Sequence, residues 1–367
     1  MGKPVIFISA GDPSGDNATG HLITALKKII PDIEFFGLGG PRLKKLGQTQ
    51  LTQSGDLAVL GFWEVARRYF FFRKLFFRCV DEIKNRQPAF VLLVDYPGFN
   101  LRLAKKIKPL GIPVIYYISP QIWAWGRGRI KQINRLVNLM LYILPFEESL
   151  YGENEVESEF VGHYLLDDIP REYVKSPLPG NKQIALLPGS RPQEIDRMLR
   201  PMLEAVRLLR KKYDIRAVIA GVKDCYDYEK VLRDYEDGVG LSYDDSRRII
   251  HDSQLVLTSS GTATLETGII GRPMVVVYKT GFITYHIARN LVKLDMIGLV
   301  NLVRGEKVVP ELIQGEATPK NMAAALEKYL VDAAYTERVK QKLDRTPDIL
   351  GGPGASRRAA EIISEYL

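Results

Sequence analysis

Short, strand-length apolar runs alternate along the chain with stretches in which apolar residues recur every three or four positions, a pattern that predicts strands separated by helices. In the first half the runs fall at residues 5–9, 34–37, 90–95, 113–118, 139–143 and 159–161. Phe90-Val91-Leu92-Leu93-Val94 contains no polar position, as expected of a strand covered on both faces of a parallel sheet. Pro170, Pro177, Pro179 and Gly180 then break the pattern among polar residues, so 169–182 reads as a linker. Alternation resumes at 183–187, 216–221, 255–259 and 274–278. The expectation is an α/β protein of two Rossmann-like, doubly wound domains, 1–168 and 183–350, facing across a cleft. After Gly351-Gly352-Pro353-Gly354 a last helix within 351–367 is expected to cross back to the first domain.

Composition narrows the partners. A chain of 367 residues has room for two cores, and 46% hydrophobic with 26% charged residues excludes global disorder. The net charge of +8 favours acidic partners: nucleic acid, phosphorylated substrates or anionic lipid. Cys79 and Cys225 stand far apart in no metal-ligand spacing, which fits a reducing compartment. No apolar run reaches the roughly 18 residues of a spanning helix, and the sequence passes from Met1-Gly2-Lys3-Pro4 straight into a strand. The expected location is cytoplasmic, with at most peripheral membrane contact.

Candidate chemistry sits where strands end. Ala10-Gly11-Asp12-Pro13-Ser14-Gly15-Asp16 follows the first strand; it is neither a G-x-G-x-x-G fingerprint nor a P-loop. Asp12 stands at the turn as a candidate base, while capping of the next helix is the plain alternative for this group of residues. Asp95 ends another buried strand and reads equally as a cap, helped by Pro97 and Asn100, or as a functional carboxylate. In the second half, Leu187-Pro188-Gly189-Ser190-Arg191 and Ser260-Gly261-Thr262-Ala263 each open a helix after a strand. Amides at a helix start hold anions, and Arg191 adds a guanidinium suited to phosphate, unless it pairs with Glu194 instead. Glu266, about one turn further in, is placed to accept from ribose hydroxyls. Two such openings point to a nucleoside diphosphate.

Residues 60–80 interleave Phe62, Trp63, Phe71 and Phe72 with Arg67, Arg68 and Arg73, a mixture suited to a membrane surface or acyl chains. The aromatics form a block instead of spaced stacking platforms, which disfavours nucleic acid as the partner. Trp123 and Trp125, followed by Arg127, Arg129 and Lys131, read as core or as a second amphipathic, anion-meeting edge.

Taken together these segments resemble the lipid-A-disaccharide synthases, bacterial glycosyltransferases of the GT-B type. The first loop is similar to the family's A-G-E-A-S-G-D, and 117–125 to Y-V-S-P-x-x-W-A-W. Residues 186–191 match L-L-P-G-S-R and 260–266 match S-G-T-A-x-L-E; Leu144-Pro145-Phe146-Glu147, Val161-Gly162-His163, Lys293-Leu294-Asp295, Asn301-Leu302 and 310–314 continue the resemblance. Asp12 replaces the family's glutamate, Gly98 stands where an aspartate is common, and Val300 replaces a proline.

The resemblance implies transfer of 2,3-diacylglucosamine from its UDP derivative to 2,3-diacylglucosamine 1-phosphate, giving the β-1,6 disaccharide and UDP at the inner membrane. It implies inversion, with Asp12 as base on the acceptor hydroxyl, Asp95 positioning the acceptor, and no metal or other cofactor. Asn301, Glu311 and Gln314 join the donor side, and a homodimer stays open. Rival readings are another GT-B enzyme, such as the peptidoglycan-precursor N-acetylglucosaminyltransferase or a UDP-sugar epimerase, and a non-catalytic sugar-nucleotide sensor docked on the membrane.

Overall fold

The computed structural model describes residues 3–52, 69–123, 127–235, 238–279 and 296–367. The chain divides into two units, one made of Met1–Asp168 with Leu350–Leu367, the other of Ile169–Ile349.

The first unit is built on a parallel seven-stranded sheet. Its strands are β1 (Val5–Ala10), β2 (Glu34–Leu38), β3 (Thr49–Gln50), β4 (Val91–Val94), β5 (Val114–Tyr117), β6 (Leu139–Tyr142) and β7 (Ser158–Phe160), in the order β3-β2-β1-β4-β5-β6-β7. The chain starts in the middle, winds outward through β2 and β3, then returns to the other side of β1 with β4. β1 and β4 are the continuous apolar runs of the sequence, and residues 6–10 and 91–94 are all buried. Along the Tyr69–Arg86 helix, Leu75, Cys79 and Ile83 recur every four residues and enter the core, the period of one helical face.

The last helix, Ala355–Ser364, packs against the Pro13–Ile29 helix of this same unit. Asp167 secures its start, accepting from Gly354 N at 2.5 Å and Ser356 N at 2.7 Å. Arg358 donates to the carbonyls of Val161, Gly351 and Pro353. The two places where the chain changes unit are thus tied together by side chains of the first unit.

The second unit carries a parallel six-stranded sheet: β8 (Gln183–Leu187), β9 (Arg216–Ala220), β10 (Val239–Ser242), β11 (Leu255–Ser259), β12 (Met274–Tyr278) and β13 (Glu311–Ile313), ordered β10-β9-β8-β11-β12-β13. The same winding recurs, with the reversal between β8 and β11. Open α/β sheets take their ligands outside the carboxyl ends of the strands at such a reversal.

Two expectations need correction. The Pro-rich stretch 169–182 belongs to the second unit: buried Arg272 donates to Ser176 O at 2.8 Å and Ser176 Oγ at 2.9 Å, and Lys175 N to Ile269 O. Strands β3, β10 and β13 lie outside the runs read from the pattern, because each is a short edge-side strand without a continuous apolar stretch.

Candidate functional site

At the end of β1, Gly11 gives way to Asp12. A Cβ at Gly11 would come within 2.6 Å of the Tyr96 ring, so glycine lets the β1 and β4 turns interlock. Asp12 is the N-cap of the Pro13–Ile29 helix, accepting from Gly15 N at 2.8 Å and Ser14 Oγ at 2.7 Å. Asp16 is buried and accepts from Gly40 N and Arg42 N, fixing the next short helix.

Asp95 and Tyr96, directly after β4, both take left-handed backbone conformations, with φ of 41° and 47°. Non-glycine residues there are strained, and something must hold them. Asn100, wholly buried, donates to Val94 O at 3.0 Å and Asp95 O at 2.7 Å while Ser9 Oγ donates to its Oδ1 at 2.7 Å. The Tyr116 hydroxyl donates to the same Asp95 carbonyl. Burial, and secondly the negative charge of Asp12, pushes the Asp95 carboxyl up to about 6. A carboxylate tuned toward neutrality is suited to proton transfer near pH 7.

Behind them lies Glu147, which sequence reasoning left without a role. It is 1% exposed, its Oε2 accepts from Leu144 N at 3.2 Å, and its Oε1 has no hydrogen-bond partner. Burial pushes it up to about 8, so it is largely protonated at neutral pH. His163 is core: its Nδ1 accepts from Leu165 N, and burial lowers it to about 3.

In the second unit a cavity of about 520 Å³ opens at the carboxyl ends of β8, β9 and β11. Gly189, Ser190, Ser260, Gly261, Thr262, Ala263 and Glu266 all line it, so seven residues read from two separate turns converge. Gly189 (φ 128°) and Gly261 (φ 150°) occupy backbone that favours glycine. The sheet takes the Ser260 N–H, which donates to Val277 O, and this corrects the expectation that it serves an anion. The amides of Gly261, Thr262 and Ala263 stand at the start of the Thr262–Ile270 helix, where no preceding turn supplies carbonyls.

Arg191 does not line the cavity. It pairs with Glu194 at 3.4 Å with its side chain 57% exposed, and the other oxygen of Glu194 accepts from Ser190 N at 3.3 Å. Glu266 is held by Arg247, whose Nε donates to Oε1 at 2.9 Å. Lys223, Asp244 and Ser246 also line the cavity and were missed. They follow β9 and β10, and β10 was not legible as a strand.

Asn301 and Glu311, expected on the donor side, are a buried support instead. Glu311 accepts from Ile297 N at 2.8 Å, Gly298 N at 2.9 Å and Asn301 Nδ2 at 2.8 Å, while Asn301 Oδ1 accepts from Val308 N and Val309 N. Their polar atoms are committed inward, and they reach the site through Ile297, whose carbonyl accepts from Ser260 Oγ. Gln314 is half-buried and is not part of the cavity wall.

On the Tyr69–Arg86 helix, Phe71 and Phe72 are half-buried and pack against the core. The exposed rings are Phe70 (79%) and Phe77 (42%), with Arg73 over the Phe77 ring. Trp123 likewise packs, edge-on to Phe146 at 5.1 Å. Phe62, Trp63, Arg67, Arg68, Trp125 and the 293–295 segment lie outside the described residues. Among the described residues no helix is long and apolar enough to cross a membrane.

A family model described as lipid-A-disaccharide synthetase matches residues 6–361. A lipid-A-disaccharide synthase of Myxococcus xanthus is 39% identical over 99% of this chain and 98% of its own length. That of Anaeromyxobacter dehalogenans is 41% identical over 97% and 96%. Among solved structures, a UDP-GlcNAc 2-epimerase from Neisseria meningitidis bound to UDP-GlcNAc superposes with a TM-score of 0.65 at 12% identity, covering 100% of both chains. Acinetobacter baumannii MurG gives 0.64 at 14% identity, covering 99% of this chain and 100% of that one. At such identities the likeness concerns fold, and it is the GT-B architecture of two parallel-sheet α/β units.

Proposed function

The chain belongs to the lipid-A-disaccharide synthetase family, and from that premise we propose how its residues divide the reaction. The protein is a glycosyltransferase that forms the lipid A disaccharide. Its donor is UDP-2,3-diacylglucosamine, and its acceptor 2,3-diacylglucosamine 1-phosphate. The acceptor 6-hydroxyl oxygen attacks the donor C1, the C1–O bond to phosphate breaks, and UDP departs with the bonding electrons. Direct displacement inverts an α-linked donor to the β-1,6 product and needs one base and a stabilised leaving group.

Asp95 is the base. Its raised proton affinity supports this, as does its clamped backbone. Asp12, with its oxygens engaged by Gly15 N and Ser14 Oγ, serves as cap and as the neighbouring charge that keeps Asp95 basic. The resemblance put the base at Asp12 and acceptor positioning at Asp95; on the present reading the base is Asp95, and Asp12 supports it. The departing diphosphate meets the amides of Gly261 to Ala263 and the Gly189–Ser190 turn, with Arg191 turning from Glu194 toward phosphate. Glu266 accepts from the ribose. Amide dipoles and cations carry the charge, so the reaction proceeds without a metal. The observation that carries the donor side is the convergence of Gly189, Ser190, Gly261, Thr262 and Glu266 on one cavity.

Phe70, Arg73, Lys74 and Phe77 lie within two turns of the Tyr69–Arg86 helix and are all exposed. Such a basic and aromatic stripe suits peripheral docking on anionic lipid at the cytoplasmic face of the inner membrane, where both acylated sugars reside. The test is turnover by the purified protein with both diacylated sugars on anionic vesicles, with and without EDTA. Release of UDP and disaccharide only when both sugars are present, and undiminished by EDTA, is the expected result. Binding of UDP without turnover would leave a sensor, and loss of turnover in EDTA would overturn metal independence.

A further inference from the structure

We propose that Arg247 is a positioning residue of the donor site which, through Glu266, makes the cavity prefer a ribonucleotide over its 2′-deoxy counterpart. The inference rests on the reading of Glu266 as the ribose acceptor. Arg247 enters from a different element. Directly after β10, Asp245 caps the Ser246–His251 helix by accepting from Arg247 N at 3.1 Å, and this helix packs against the Thr262–Ile270 helix that carries Glu266. Arg247 Nε then donates to Glu266 Oε1 at 2.9 Å, with the two side chains 15% and 14% exposed.

At that depth the pair is poorly screened by water, so removing one partner changes the field and geometry at the other. The guanidinium is planar and rigid, so its Nε–H directs Oε1 as well as supplying charge. An ionised carboxylate only accepts hydrogen bonds, so a ligand meeting Glu266 at the cavity wall must bring donors. Ribose brings two adjacent hydroxyls, whereas 2′-deoxyribose brings one. Without Arg247 the carboxylate loses one of the contacts that orient it, and the second hydroxyl loses part of its advantage. A lysine would keep the charge but not the rigid, planar donor.

The experiment titrates the full-length protein with UDP and with 2′-deoxy-UDP by calorimetry, for the wild type, Arg247→Met, Arg247→Lys and Glu266→Gln. The wild type is expected to bind UDP about tenfold more tightly, the range of one hydrogen bond to a charged group. Arg247→Met should reduce that ratio to about twofold or less, with Arg247→Lys in between. A ratio of two ligands on one variant is insensitive to general loss of stability, and if Arg247→Met does not fold, Arg247→Lys decides. An unchanged preference in the Arg247 variants overturns the inference. If Glu266→Gln abolishes the preference while they keep it, Arg247 alone is misassigned. If Glu266→Gln also keeps it, the ribose reading of Glu266 fails first.

Discussion

The carboxyl ends of the two sheets share one topology but not one chemistry. Each sheet reverses its winding beside its first strand, between β1 and β4 in one unit and between β8 and β11 in the other. At the first reversal the chain collects carboxylates, Asp12 and Asp95, and places left-handed backbone on the non-glycine residues Asp95 and Tyr96. At the second, glycine, hydroxyls and helix-start amides stand beside Glu194, Asp244 and Glu266, and the unusual backbone falls on Gly189 and Gly261. Strain on Asp95 has to be held by Asn100 and Tyr116, whereas glycine adopts the required shape unaided. The scaffold therefore fixes where ligands go. In the division proposed above, the residues after each strand decide whether that place takes a proton or grips an anion.

The largest difference between the two reversals is expected at Asp95. Replacing it with asparagine is expected to lower kcat by roughly a thousandfold, within the range for loss of a general base, while UDP affinity measured by calorimetry stays within about twofold. A parallel fall in UDP affinity would mean that the two reversals do not divide the reaction. Stability should move the other way. The folded carboxyl holds its proton up to about pH 6, against an ordinary value of 3.8. Its contribution is therefore complete below the unfolded value and is lost as pH climbs through that window, by at most about 3 kcal/mol. Asp95→Asn has no such loss, so at pH 8 it should melt above the wild type.

Gly261 tests the other side. Its φ of 150° with ψ of −163° lies in backbone that is nearly glycine-only, and a Cβ there would meet nothing within 4 Å. Gly261→Ala thus strains the backbone by about 1–3 kcal/mol without a clash. UDP should bind about tenfold more weakly, and the acid limb of the pH–rate profile should stay in place. A displaced acid limb would tie the glycine turn to the base and undo the division.

Much of this was legible in the sequence, for a physical reason. β1, β4, β11 and β12 are buried on both faces and read as apolar runs, and the glycine and serine turns after them are local signals that need no tertiary knowledge. Strands β3 and β10 form sheet edges, and Val239-Gly240-Leu241-Ser242 has no wholly buried residue, so neither could be read. With β10 went the loop after it, and with that Asp244, Ser246 and Arg247. Asn301 and Glu311 misled for another reason: which amides surround a buried carboxylate depends on how residues 297–311 fold back on themselves, and no spacing encodes that. The faces of the Tyr69–Arg86 helix were recoverable, since Leu75, Cys79 and Ile83 mark the buried side and leave Phe70 and Phe77 opposite.

The smallest expected effect is the one that separates the two carboxylates. Asn serves nearly as well as Asp at a helix N-cap, so Asp12→Asn should leave the Pro13–Ile29 helix in place while removing one negative charge. That charge is the second cause, after burial, of the raised Asp95 proton affinity. It disfavours a second anion beside it, so its loss makes Asp95 easier to ionise, and the acid limb of kcat/KM should move from about pH 6 to lower pH by a fraction of a unit. A weaker base transfers the proton less readily, so the plateau rate should fall, by less than about tenfold. Were Asp12 itself the base, the same substitution would suppress turnover at every pH and leave no limb to follow. A shifted limb with a surviving plateau therefore assigns the base to Asp95, and a lost plateau returns it to Asp12.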